Sequence, residues 1–271
     1  MKIRNILALL ALPLMLSSCM TDYAELTATG TLSEVKKNIN ANFENFQTDM
    51  SSSAAKLSDK TGDANEIRSV LASLKIKNPL IVDCSFVNQK GVMKVVEPVK
   101  YKKYEGSDIS AQEHVARIVR TQKPVLSNVF RSVEGFYSFD FGYPVINKSG
   151  AYAGSISFLV KPEIFFRPFL DQILKKRPVE IWVMDSNGFV IYDRDKGQIG
   201  RNVFKDDMYK PFPELIKACH QISARSDGTT EYEFYSAVTK EKVLKKASWT
   251  TVMLYGVEWK IVYAELNTLN K

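Results

Sequence analysis

Histidine is nearly missing from this chain, with two in 271 residues, His114 and His220. They stand too far apart for a His-x-x-x-His pair. The three cysteines, Cys19, Cys84 and Cys219, form no Cys-x-x-Cys. Zinc sites of either common spacing are thereby excluded. There is no Gly-x-Ser-x-Gly turn for a hydrolase and no glycine-rich phosphate loop. Asp193-Arg194-Asp195-Lys196-Gly197 opens like a calcium loop, but Phe204 stands where the closing acid belongs. No enzyme, metal or cofactor is therefore expected. Compact Lys/Arg clusters interleaved with aromatics are also missing, which argues against nucleic acid. Lys175-Lys176-Arg177 and Lys245-Lys246 are short and read as solvated faces. Past Leu16 no run is apolar enough to cross a bilayer.

Ordinary globular usage remains: 45% hydrophobic and 25% charged residues. The net charge is +7, and taking away Lys2 and Arg4 leaves +5. A mildly basic mature chain favours anionic ligands or headgroups, subject to salt screening.

The N-terminus supplies the first positive signal. Lys2 and Arg4 precede the apolar run Ile6–Leu16, and Ser17-Ser18-Cys19 follow. Basic start, short apolar run and small residues describe a secretory signal, too short to span a membrane. With cysteine at the cut, the pattern resembles the bacterial lipobox. That resemblance implies a signal peptide over residues 1–18 and lipidation of Cys19. The mature protein would then be extracytoplasmic and held to the envelope by acyl chains. With Met20-Thr21 after the cysteine, the resemblance points to the outer membrane in a Gram-negative cell. An ordinary signal peptide with an incidental cysteine is the alternative. Cys84 and Cys219 are expected as buried free thiols, since export permits a disulfide but the two fall in different halves.

Residues 19–29 read as a polar tether. Over residues 30–62, Leu32, Val35, Ile39, Phe43, Phe46, Met50, Ala54 and Leu57 recur every three or four positions, a helix with one apolar stripe. The stripe either packs on the domains behind it or forms the seam of a homodimer. Two similar units follow. In the first, residues 63–161, Glu66–Leu74 reads as a helix and Pro79–Asp83 and Val92–Val96 as a hairpin. A helix Ala111–Thr121 capped by Ser110 comes next, then strands Val125–Phe130, Phe136–Ile146 and Gly154–Val160. Residues 162–178 form a linker helix broken by Arg177-Pro178. In residues 179–271 the pattern restarts: strand Val179–Asp185, turn Ser186-Asn187-Gly188, strand Phe189–Asp193, helix Phe212–Ala224, and strands Thr229–Tyr235, Leu244–Leu254 and Glu258–Glu265. The fold class is α+β: a long helix and two mainly antiparallel sheets flanked by helices.

Two sets of residues carry a resemblance. One is Asp185-Ser186-Asn187-Gly188, Ile199-Gly200-Arg201-Asn202 and Trp259-Lys260-Ile261-Val262. The other is Val82-Asp83, Gly106-Ser107-Asp108-Ile109-Ser110, Thr121–Ser127, Tyr143-Pro144-Val145 and Gly150–Gly154. Both units are similar to the PAS-like Cache sensor domain, and the whole resembles a double Cache module over Thr29 to Leu266. The resemblance implies extracytoplasmic small-molecule sensing, with ligand in the first, membrane-distal unit. Without an output segment, it implies a separate membrane-bound signalling partner. The amino-acid-binding members' Arg-x-Trp-Tyr cluster has no match here, and Gly154 is followed by Ser155 rather than Asp.

Candidate ligand residues follow from position. His114 and Arg117 share a helix face, and Arg117 offers a fork for a carboxylate or phosphate; alternatively both sit on the helix edge. Tyr137 and Phe139 begin an alternating aromatic row with Phe141 and Tyr143, which is either core or cavity wall. Ser127, Ser155 and Ser157 place small hydroxyls among apolar strand residues. The first unit is expected to have the room, because Trp249, Tyr255 and Trp259 fill the second. A structural or adhesion lipoprotein with a filled pocket is the alternative function. A hydrolase with an unrecognised site is a third.

Overall fold

The computed structural model describes residues 12–175, 179–237 and 239–266, with side chains from Thr27 to Glu265. Cys19 lies on a helical backbone, but its side chain falls outside the described residues, as do residues 1–11 of the expected signal segment and the expected Arg177-Pro178 break. No helix among the described residues is long and apolar enough to cross a membrane.

Helix α1 (Leu12–Leu57) is continuous. It takes in the stretch read as a tether, since nothing between Thr21 and Gly30 interrupts the helix. Its stripe is fully used inside the chain: Leu32, Val35, Ile39, Phe43, Phe46, Met50, Ala54 and Leu57 are all at most 5% exposed. The stripe lies across the inner faces of both sheets, so it is not free to be a dimer seam. Any self-association through α1 would have to use its polar side.

The first unit has α2 (Ala64–Lys77), β1 (Asp83–Asn88), β2 (Met93–Glu97), α3 (Glu113–Thr121), β3 (Val125–Leu126), β4 (Phe130–Arg131), β5 (Tyr137–Ile146) and β6 (Tyr152–Val160). Its sheet runs β2-β1-β6-β5-β3, with β4 paired to β5. After α4 (Pro162–Leu174), the second unit has β7 (Glu180–Asp185), β8 (Val190–Tyr192), α5 (Pro213–Ala224), β9 (Asp227–Tyr235), β10 (Lys242–Leu254) and β11 (Val257–Leu266). Its order, β8-β7-β11-β10-β9, is the same path.

The repeat holds at single hydrogen bonds. Asn88 Oδ1 accepts from the amides of Lys90 and Val92, and Asp185 Oδ1 accepts from Asn187 and Phe189. Gly91 and Gly188 follow with φ of +78° and +80°. At both places a Cβ would also collide, with Ser110 at 2.6 Å and with Phe204 at 2.4 Å. Glycine is thus required twice over in each turn. The Ile109 amide donates to Gly91 O, and the Val203 amide to Gly188 O.

Several boundaries move. The first strand is β1 and not Pro79–Asp83, because Asn78–Ile81 closes α2 with a turn and the alternation begins at Asp83. Ser110 does not cap α3. Its amide binds Asp108 Oδ1 in a turn, and the helix starts two residues beyond the expected Ala111. The strand expected over Val125–Phe130 is broken into β3 and β4.

One core joins the α1 stripe, α2, α4 and the inner faces of both sheets. A second lies between α5 and the outer face of the second sheet. A third, smaller cluster on the outer face of the first sheet joins Val87, Met93, Val96, Ile109 and Val115, with Tyr101 and Tyr104 packed against it. Cys84 and Cys219 are buried free thiols, and Cys84 Sγ donates to Leu71 O.

Candidate functional site

The polar surface missing from that small outer core is a cluster of acids. Alternation along β1 puts Cys84 and Phe86 in the α1-side core and turns Asp83 and Ser85 outward. On β5, Phe139 and Phe141 face α1, while Ser138 and Asp140 face out. On β6, Ile156 and Phe158 face in, and Ser155, Ser157 and Leu159 face out. Asp83, Ser85, Asp140 and Ser157 thus meet on one face under the turn Ser132–Glu134 and Gln112. They enclose a cavity of about 20 Å³, room for one water-sized group. Val133 and Glu134 form its rim.

Asp140 is the centre. Ser157 Oγ donates to its Oδ2. Ser127 fixes its backbone, its hydroxyl accepting from the Asp140 amide and its own amide donating to Asp140 O, both at 2.8 Å. His114 Nε2 lies 3.9 Å from Asp140 Oδ1, with its ring on Phe130. Burial pushes the Asp140 carboxyl up to about 7, against the pull of the Ser157 hydroxyl, and the charge of Glu134 adds to the rise. Burial, then the Arg117 charge, pulls His114 down to about 4, so near neutral pH it is uncharged and makes no ion pair. The Asp83 carboxyl is raised well above its usual range by burial first, then by Glu134 and Asp140. Asp83 Oδ2, Ser132 Oγ and Ser138 Oγ are buried without a hydrogen-bond partner. An unpaired buried polar atom costs roughly 1–3 kcal/mol, and more if charged.

These shifts have opposite signs in stability. Asp140 holds its proton more tightly folded than unfolded, so its contribution falls as pH rises from about 4 to about 7. His114 has the lower folded value, so its contribution rises over the same window. Asp140→Asn removes only the falling part. Urea melts at pH 4.5 and 7.5 should show the variant gaining on wild type by on the order of 1 kcal/mol or more at the higher pH. Parallel pH profiles would mean that Asp140 ionises freely.

Of the residues expected at the site, Ser157 lines the cavity, Ser127 holds the Asp140 backbone, and His114 stands beside Asp140 without a bond to it. The others do not line it. Arg117 turns its guanidinium to Leu126 O, with Glu113 3.6 Å from its Nε. Phe139 belongs to the α1-side core, and Tyr137 packs on Phe189 of the second unit. Ser155 stands on the cavity side of β6 but away from the cavity. The lining charge is therefore acidic, the reverse of what an anionic ligand needs. Asp83 and Asp140 were legible as acids at alternate, outward positions of otherwise apolar strands. Among the described residues no three His, Cys, Asp or Glu side chains converge as metal ligands.

The second unit is not filled. It encloses about 330 Å³ between the outer face of its sheet, α5 and the loop 193–209. Trp259 and Tyr255 face α1 instead, and Trp249 packs toward Arg225 and Gly228. Lys245, expected on a solvated face, is 3% exposed and paired with Glu180.

Residues 41–162 match the family model described as the HK/GC/chemotaxis protein-like sensor domain. No curated protein matches the chain. Among solved structures, an extracellular ligand binding receptor from Desulfohalobium retbaense is 28% identical with a TM-score of 0.74 over 89% of this chain. This chain spans 40% of that receptor's length. The periplasmic sensory domain of the Campylobacter jejuni chemoreceptor Tlp1 is 12% identical, TM-score 0.67, covering 93% of this chain and 99% of that one. The ligand-binding domain of the Pseudomonas aeruginosa amino acid chemoreceptor PctC, in complex with GABA, is 15% identical, TM-score 0.62, covering 90% and 99%. The described chain thus has the two-sheet fold of these sensory domains, and residues 41–162 are similar to the HK/GC/chemotaxis protein-like sensor domain.

Proposed function

We propose that this chain is an extracytoplasmic sensor whose first unit binds the ammonium group of a small amine. One observation carries the reading: Asp83 and Asp140 are buried beside one cavity, with an Asp83 oxygen lacking any donor. A cationic N–H group supplies both the missing donor and the missing countercharge. The cavity's volume suits that head group, and the remainder of the ligand would pass the rim at Val133 and Glu134. The GABA held by PctC also carries an ammonium, which supports the reading without assigning the ligand. Residues 2–19 support export and lipidation at Cys19, and the sensor fold supports a membrane-bound signalling partner. Catalysis has no role in this reading.

The small volume favours a second reading, an envelope lipoprotein whose pocket is closed. A thermal-shift screen of primary amines, amino acids and carboxylic acids separates the two. Amine-bearing compounds should raise the melting temperature and carboxylates without an amine should not. Asp140→Asn should weaken the best amine by about tenfold or more, the worth of a charge-assisted hydrogen bond. A screen in which only carboxylates stabilise, or nothing does, would remove the proposal.

A further inference from the structure

The 330 Å³ cavity of the second unit is more than ten times the volume of the acidic one and has a different chemistry. Trp182, Tyr209, Tyr232, Phe234 and Tyr235 supply its walls. The polar handles of three of these rings are engaged with neighbours. Trp182 Nε1 donates to Tyr232 Oη at 3.2 Å, and Tyr209 Oη donates to Gln198 Oε1 at 2.7 Å. These rings therefore offer a ligand mainly their faces, with the Tyr232 and Tyr235 hydroxyls as further donors. The charged groups at the margins are also paired: Lys245 with Glu180 and Tyr235 O, and Lys240 with Asp195.

Among the described residues, two side chains of the loop 193–198 also have hydrogen-bonding capacity to spare. Asp193 accepts one bond, from the Asp195 amide at 2.7 Å, and its other oxygen takes none from the described residues. Gln198 uses its carbonyl on Tyr209, and its amide nitrogen donates to none of them. Both come from the loop 193–198. One free acceptor and one free donor from the same loop, in a cavity also lined by aromatic rings, define a complement. The ligand is flat, has apolar faces, and carries an N–H donor and a nitrogen or carbonyl acceptor on its edge. A carboxylate is disfavoured, since Glu180, Asp193 and Asp195 all line the space. The volume falls in the range of small-molecule sites, and mostly apolar walls with a few polar groups are their usual form.

We infer that the second unit holds a separate binding site for a planar nitrogen heterocycle of the nucleobase kind, stacked among these rings with its edge on Asp193 and Gln198. This site does not depend on the amine site of the first unit. The test uses the full chain and adenine, xanthine and, as a flat anion, benzoate, followed by calorimetry and by Trp182-sensitive fluorescence. Adenine or xanthine should bind and quench, and benzoate should not. Gln198→Leu and Asp193→Ala should each weaken the heterocycle by about tenfold. Asp140→Asn should leave it unchanged. Circular dichroism melts identify a variant that has failed to fold, and the other variant then decides. The inference is overturned if neither heterocycle binds wild type at millimolar concentration, if benzoate binds as well as they do, or if folded Gln198→Leu and Asp193→Ala retain wild-type affinity. Loss of heterocycle binding in Asp140→Asn would also overturn it, placing the heterocycle in the first unit.

Discussion

Replacing Phe43 with alanine is expected to cost about 3–5 kcal/mol and to unfold both units in one transition. Phe43 is 1% exposed on the α1 stripe. Its ring lies 6.0 and 5.6 Å from Phe139 and Phe141 of the first sheet. It lies 5.4 Å from Phe165 of α4, and 6.3 and 5.8 Å from Tyr255 and Trp259 of the second sheet. The side chain is thus where both sheets and the connecting helix meet. Truncating it leaves a cavity that rigid aromatic neighbours cannot collapse into. Urea unfolding followed by tryptophan fluorescence and by circular dichroism should give coincident transitions, both shifted. A loss below about 1 kcal/mol, or a shift in one probe alone, would show that the units do not share this core.

Glu180→Ala should have an effect of similar size by a different route. Lys245 is almost fully buried, and its ammonium is bound by the Glu180 carboxylate and by Tyr235 O. Glu180 also accepts from the Ala237 amide at 2.7 Å. Removing the carboxylate leaves a buried cation without its counterion, a loss of about 3–5 kcal/mol. The double variant Glu180→Ala/Lys245→Met removes the stranded charge as well and should recover a substantial part of that loss. Chemical denaturation of the two single variants and the double closes the cycle. Additive losses would mean that water reaches the ammonium and the pair is not coupled.

The same residues show where reading the sequence succeeds and where it stops. The α1 stripe was legible because its three- and four-residue spacing admits one buried face, and that face is the one the core uses. The repeat was legible because a tight turn with positive φ leaves few choices, and Gly91 and Gly188 stand at matching places. What covers a face was less so. The row Tyr137, Phe139, Phe141 and Tyr143 announces a buried side of β5 but not which side the pocket takes. The informative residues were the ones between them, Ser138 and Asp140. The helix face of Arg117 suggests a ligand group, yet its fork reaches the end of β3, a tertiary contact that spacing does not encode. Cavity volume was the least legible. Trp249 and Trp259 are both large, but Trp259 packs against α1, and Trp249, part of the core under α5, packs toward Arg225 and Gly228, so neither lines the cavity. The loop 193–209, polar and irregular in sequence, sets that volume.

The most direct test of the amine reading is a crystal structure of the chain with the amine that stabilises it best in the thermal screen. The ligand nitrogen should lie about 2.7–2.9 Å from carboxylate oxygens of both Asp83 and Asp140, with Ser132 completing its shell. An amine bound with its nitrogen away from both carboxylates, or found only outside the first unit, would contradict it.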